Sequence, residues 1–339
     1  MSLKNTPDYY HEVLKAIPPR PFPPFEDEAM QTRVWGRRWG VYNDVGTLKM
    51  VLVHRPGDEI KVMSEDKYDP AIEALIDRRQ QWYFRGDRTP NLETMQAEHD
   101  AMTDAMRAEG VEVVYVEGSP HDPKAIFTRD NGVAVPGGLI IARMGPVGED
   151  PGTGRRGEEA YVTRKVVEAG APILRTIHGT GLFEGGSFAF LDEKTAVIGL
   201  SYRQNEEAAR QIEEVLNPMG IRLVRVPLTG HSLHIDGAIV MVDHKLALVN
   251  INRLPYWMLD LLEERGIKTV EVHWADDPRV NNMLALRPGK VLLAINNGTA
   301  TADRLTKAGV EVVPIDYSEC QMGGGGIHCS TMPLIREKD

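Results

Sequence analysis

A chain of 339 residues with 42% hydrophobic and 26% charged residues has the balance of a soluble globular protein, with room for one large domain or two ordinary ones. Its formal net charge of −10 disfavours nucleic-acid and anionic-membrane partners, which need clustered Lys and Arg, and is compatible with a small cationic substrate. Two cysteines exclude a disulfide framework, no apolar run reaches the ~18 residues of a membrane helix, and residues 1–20 lack the apolar segment of a secretory signal, so the cytoplasm is the expected compartment.

In chain order, residues 1–45 carry a Pro-rich stretch at 17–25 and read as an N-terminal arm packing on one catalytic domain, 46–339. Trp35, Trp39 and Trp82 either pack this arm or cover a pocket. An apolar strand is predicted over 47–54. A phrase then repeats: a helix, a glycine, a short apolar strand, a polar stretch, and two apolar runs split by a turn. The helix over 91–108, with Met95, Ala101, Met102 and Met106 at helical spacing, stops at Gly110 and leads to a strand at 111–116. The paired runs follow at 132–135 and 139–144, across Pro136-Gly137-Gly138.

The second round is a helix at 159–169, a strand at 173–177 and runs at 187–191 and 195–200. The third is 206–216, 221–226, 238–242 and 246–250. The fourth is 256–265, 269–273, 283–287 and 291–295, and a last helix at 301–308 leads through 310–315 to the tail. A strand, helix and hairpin unit recurring roughly every fifty residues predicts an α/β protein built as a five-bladed, pseudo-symmetric propeller. The early strand at 47–54 would complete the ring with the tail.

The polar residues fall in phase with this repeat. Asp130 precedes the first pair of runs, Glu184 the second, His234 and Asp236 the third, and Cys329 follows the last helix and strand. Units set around an axis would aim these side chains at one place. Cys329 follows four glycines, Gly323 to Gly326, a sequence that lets backbone pass close to a ligand or another segment. A thiolate needs a proton shuttle, which histidine supplies near neutral pH. Carboxylates raise a neighbouring thiol's pKa, so their presence makes sense if the substrate is a cation. A planar guanidinium, held bidentately by carboxylates and attacked at carbon by sulfur, fits that combination.

Phe127-Thr128-Arg129-Asp130, Glu184-Gly185-Gly186, His234-Ile235-Asp236 and Gly325-Gly326-Ile327-His328-Cys329 resemble, in order and spacing, the four motifs of the guanidino-group-modifying superfamily. That superfamily contains arginine deiminases, dimethylargininases, agmatine deiminases and amidinotransferases. The resemblance covers roughly 47–336 and implies a five-bladed α/β propeller acting without metal or organic cofactor. It implies Cys329 as nucleophile, His234 as the proton donor to the leaving amine and then the activator of water, and Glu184 as its orienting partner. Asp130 and Asp236 would hold guanidinium nitrogens. Gly199-Leu200-Ser201-Tyr202-Arg203 and Arg155-Arg156-Gly157-Glu158 are similar to segments whose arginines pair with a substrate carboxylate, which disfavours agmatine.

The sequence also departs from the pattern. Gln321-Met322 stand where arginine deiminases carry an arginine, and Ser187 stands where the family often has aspartate. Asp236 leaves less room for methyl groups, which disfavours methylated arginines. The expected activity is hydrolysis of arginine or an arginine-like amino acid to a ureido product, through a covalent thiouronium intermediate. Transfer of the amidino group to an amine is the alternative. A zinc site from His231, His234, Asp236, His328 and Cys329 is a reading of a different class, as is a non-catalytic cation-binding propeller. Cys320 reads as a buried small residue, and His231 and His328 as structural or pocket-lining. Association of the chain with itself is left open.

Overall fold

The computed structural model describes residues 2–118, 121–145 and 154–338. Five three-stranded sheets share one plan: an antiparallel pair of strands, a hairpin in four of them, with one member pairing in parallel with a third strand reached through a helix. In the first, Gly132–Val135 and Gly138–Ile141 form the hairpin with Val133 opposite Ile140, and Ile173–Thr176 adds the parallel edge after the helix Glu158–Glu168. The second combines Phe188–Asp192, Thr195–Leu200 and Arg222–Pro227 around the helix Glu206–Leu216. The third combines Ile239–Asp243, Leu246–Val249 and Lys268–Glu271 with Tyr256–Glu264, and the fourth Leu284–Arg287, Lys290–Ala294 and Glu311–Ile315 with Ala300–Lys307.

Both ends of the sequence build the fifth sheet. Leu48–Val53 pairs antiparallel with Met332–Arg336 and parallel with Glu112–Tyr115, which follows the helix Leu92–Ala108. That helix shows the local logic of the others. The Asn91 side chain accepts from Thr94 N at its start, and Met95, Met102 and Met106 are buried along one face. It gives way to the strand at Gly110, whose φ of 79° is the left-handed turn that glycine adopts without strain.

Hairpin strands are almost wholly buried, all four positions of Gly132–Val135 and Gly138–Ile141 among them. They read as continuous apolar runs because the helices cover one face and neighbouring sheets the other. Met332–Arg336 touches Gly132–Val135, Phe188–Asp192 touches Ile239–Asp243, and Ile239–Asp243 touches Leu284–Arg287, which returns to Leu48–Val53. A short 3-10 turn enters each hairpin of the first four sheets: Thr128–Asn131, Gly185–Ser187, Ile235–Gly237 and Pro278–Asn281. These turns contact one another in that order, so whatever precedes each hairpin is gathered into one row.

A sixth, small sheet was not expected from the sequence: Tyr68–Asp69, Ala74–Asp77 and Trp82–Arg85. Its strands are too short and polar to stand out, and it falls outside the repeat. Its turns hold the two non-glycine residues with positive φ among the described residues, Glu73 and Gln81. The three tryptophans take different places. Trp39 is fully buried in the core, Trp35 stacks edge-on with Phe25, and Trp82 belongs to the small sheet. The first helix, Tyr9–Ala16, buries no residue.

Candidate active site

A cavity of about 120 Å³ opens where the row of turns meets the glycine-rich tail. Cys329, His234, Glu184, Asp130, Arg155 and Arg203 all line it. The glycines of the tail are required by what they touch. A side chain at Gly325 would put its first carbon 2.4 Å from the Phe127 ring, and at Gly324, where φ is 99°, 2.0 Å from the Tyr83 hydroxyl. Only bare backbone brings Cys329 this close to the Thr128–Asn131 turn, where Arg129 N donates to Cys329 O at 3.0 Å.

His234 and Glu184 form a close pair. His234 Nε2 lies 2.7 Å from Glu184 Oε2, and His234 Nδ1 lies 3.6 Å from Asp130 Oδ1. Burial pulls the imidazolium down, but Asp130 and then Glu184 and Asp236 outweigh it and hold its pKa at about 9. Burial pushes Glu184 up, and its bond to His234, the His234 charge and Arg203 reverse this to about 2. The pair is therefore imidazolium and carboxylate at neutral pH. Gly186 makes the approach possible, since a side chain there would reach 2.8 Å from both Asp130 Oδ1 and His234 Nδ1.

Asp236 is buried beside the thiol: Cys329 Sγ donates to Asp236 Oδ2 at 3.6 Å, and His328 Nδ1 holds the same oxygen at 2.9 Å. Burial, then Asp236 and Asp130, push the Cys329 thiol well above its ordinary value. Asn282 acts in the other direction, its Nδ2 donating to Sγ at 2.9 Å while its Oδ1 accepts from Cys329 N at 3.0 Å. Asn282 was missed in the sequence. It stands just before the fourth pair of runs, in phase with Asp130, Glu184 and Asp236, and the phase could have found it. Lys124 was also missed, and no signal marked it. It is buried in the cavity wall, where Nζ donates to Tyr83 O and to Gly323 O, and tethers the small sheet to the glycine-rich tail. Its burial, then Arg155, depress its pKa well below the ordinary lysine value.

The three arginines differ. Arg203 Nη1 donates to Glu184 Oε1 at 2.7 Å. Arg155 gives Nη1 to Asp130 Oδ2, Nε and Nη2 to Glu158 at 2.6 and 2.7 Å, and Nη2 to Phe127 O at 2.8 Å. Arg156 is turned away from the cavity lining, with Nη1 on Met144 O and Nε on Glu159. Two of the carboxylates around the cavity thus already hold guanidinium groups, those of the protein itself.

The ligands proposed for zinc do not gather. Among the described residues, the acidic and histidine atoms that lie within 4.8 Å of one another belong to Asp130, Glu184 and His234. Asp130 is engaged by Arg155, Glu184 by Arg203, and His234 is a protonated imidazole on Glu184, a donor set ill-suited to a metal ion. Cys320 is buried, donates to Met95 O at 3.3 Å, and is pushed well up by burial and Glu98. Among the described residues no helix is long and apolar enough to cross a membrane.

Three comparisons bear on this site. The family described as N,N dimethylarginine dimethylhydrolase, eukaryotic, matches residues 73–336. The arginine deiminase of Mycoplasma capricolum is 24% identical, over 89% of this chain and 98% of its own length. Dimethylarginine dimethylaminohydrolase of Pseudomonas aeruginosa, solved with citrulline, superposes with a TM-score of 0.66 at 18% identity, over 85% of this chain and all of that one. The inosamine-phosphate amidinotransferase of Streptomyces griseus gives 0.68 at 18%, over 89% and 98%. The two structures share the mixed α/β fold.

Proposed function

The chain belongs to the N,N dimethylarginine dimethylhydrolase family of the guanidino-group-modifying superfamily, and we propose that it is a cytoplasmic, cysteine-dependent hydrolase of a guanidino amino acid. The observation that carries this reading is the single cavity in which Cys329 meets His234, Glu184 and Asp130, two of these carboxylates already holding guanidinium groups. In this reading the five sheets are blades of a propeller formed by residues 46–339, with 1–45 as an arm upon it. The row of turns occupies its axis.

The chemistry follows from the charges. Substrate guanidinium exchanges with the protein's own at Asp130 and sits against Asp236. Its positive charge offsets the burial and the acids that keep Cys329 protonated, and the thiol releases its proton to solvent as the substrate arrives. Sulfur attacks the guanidinium carbon, and the C–N bond to the departing nitrogen breaks as His234 delivers its proton. Glu184 holds the imidazole in line throughout. The resulting amidino group on Cys329 is then attacked by water, whose proton returns to His234, and the ureido product leaves with the thiolate restored. Arg203 and Arg155, released from their carboxylates, can meet a substrate carboxylate.

The family name points to methylated arginine and the relative just described to arginine itself, while an aspartate at 236, expected to leave less room for methyl groups, favours the unmethylated substrate. Mass spectrometry of products from arginine, methylated arginines, agmatine and guanidino acids, each with and without glycine as acceptor, tests the proposal. A ureido product formed without acceptor is the expected result. An amidinated amine formed only with acceptor would make the protein a transferase, and no product from any compound would overturn the reading.

A further inference from the structure

Glycines have no side chains to hold their own path, so the course of the tail from Gly323 to Gly326 is set by what grips it at either end. Downstream the grip is Asn282, bonded to both the sulfur and the amide of Cys329. Upstream it lies at Ser318, Glu319 and Cys320, where the chain enters the short turn Cys320–Gly323. Glu98, in the helix Leu92–Ala108, turns both carboxylate oxygens onto this segment. Its Oε1 accepts from Ser318 Oγ at 2.9 Å and Glu319 N at 3.0 Å, and its Oε2 accepts from Cys320 N at 2.9 Å. Within the turn, Gln321 N donates to Tyr317 O at 3.0 Å and Gly324 N to Gln321 O at 2.9 Å, which carries the fix on to the glycines.

The contact is a reciprocal clasp. Glu319 accepts from Asn91 N at 2.7 Å and Arg88 Nη1 at 3.0 Å, and Cys320 Sγ donates to Met95 O at 3.3 Å. Asn91, Met95 and Glu98 follow one another at helical spacing, so one face of the helix start receives the whole segment. Glu98 is buried, and among the described residues no lysine, arginine or histidine pairs with it. A buried carboxylate is tolerated where donors fill its oxygens, and here all three donors come from the chain leading to Cys329. The path beyond leaves little slack, because Gly324 runs against the Tyr83 hydroxyl and Gly325 against the Phe127 ring. Glu98 itself does not line the cavity. We propose that Glu98 is a positioning residue: through the turn at 320–323 it sets where the sulfur of Cys329 lies relative to His234 and Asp236. The inference rests on the proposed function for its catalytic meaning.

Glu98→Gln keeps the shape of the side chain and sets an N–H where an acceptor stood. Hydrogen exchange read by mass spectrometry on peptides spanning 318–329 follows the tail without any turnover. In Glu98→Gln, exchange there is expected to quicken by about tenfold. With the guanidino compound that the wild type converts, kcat is expected to fall by about tenfold while KM stays within about twofold. Ser318→Ala, which removes one donor from the same carboxylate, is expected to move both readouts in the same direction and by less. Ile212→Val, a buried change in the second unit, separates lost stability from lost position: it is expected to lower the melting temperature and leave kcat unchanged. Unchanged exchange at 318–329 in Glu98→Gln, or a kcat no lower than that of Ile212→Val, overturns the proposal. Faster exchange in a protein that converts no guanidino compound would keep Glu98 as the anchor of the tail and remove the proposed function instead.

Discussion

At the level of single residues the site is governed by one imbalance: burial, and then neighbouring acids, disfavour the Cys329 thiolate, while the acids hold His234 protonated. The free enzyme therefore carries thiol and imidazolium, the reverse of a self-activated cysteine–histidine pair. A raised thiol pKa means that the thiolate fraction is small at neutral pH and grows as pH rises past the ordinary cysteine range. Alkylation of Cys329 by neutral iodoacetamide is thus expected to keep accelerating with pH above 9, the ordinary thiol value. A rate that levels off by neutral pH would show a thiolate already formed without substrate.

Elements convert these residues into a site by bringing backbone where side chains would not fit. The tail from Gly323 to Gly326 runs against Phe127, Tyr83 and Asn282, and the sequence alone announced it, because ordering four glycines needs a reason. Gly325→Ala would force its new carbon into the Phe127 ring. A loss of about 1–3 kcal/mol in stability by denaturant unfolding, together with at least a tenfold fall in kcat from displacement of Cys329, is the expected outcome. Wild-type kcat in this variant would show that the loop does not position sulfur. The helices and hairpins were legible for the same kind of reason: periodic methionines, glycine stops and paired apolar runs each have one local solution. The small sheet at 68–85 was not legible, since its strands are short and its role depends on the surface it covers.

For the whole molecule, the joining of its two ends in one sheet is the central feature. The last strand, Met332–Arg336, pairs with the first of the repeat, and Arg336 ties them to the fourth unit by donating to Gly46 O and Ala285 O at 2.8 Å each. Arg336→Met leaves two buried carbonyls without their donor, so the melting temperature is expected to fall by on the order of 5 °C. An unchanged melting temperature would mean that the seam does not limit stability. Phase around the repeat made Asp130, Glu184, His234, Asp236 and Cys329 readable from sequence. It held one more answer in Asn282, passed over because the fourth unit contributes an amide where charged or reactive residues were sought. Lys124 depends on how distant loops meet, and no local pattern marks it.

The central claim is that sulfur of Cys329 becomes covalently joined to the guanidinium carbon and that His234 sees that bond through its formation and loss. Intact-protein mass spectrometry of the His234→Ala variant, incubated with the guanidino compound that the wild type converts, tests this most directly. A persistent mass gain equal to the substrate less its departing amine, mapped to Cys329 and absent from Cys329→Ser, is expected. Turnover at the wild-type rate in either variant, or a gain mapped to another residue, would contradict it.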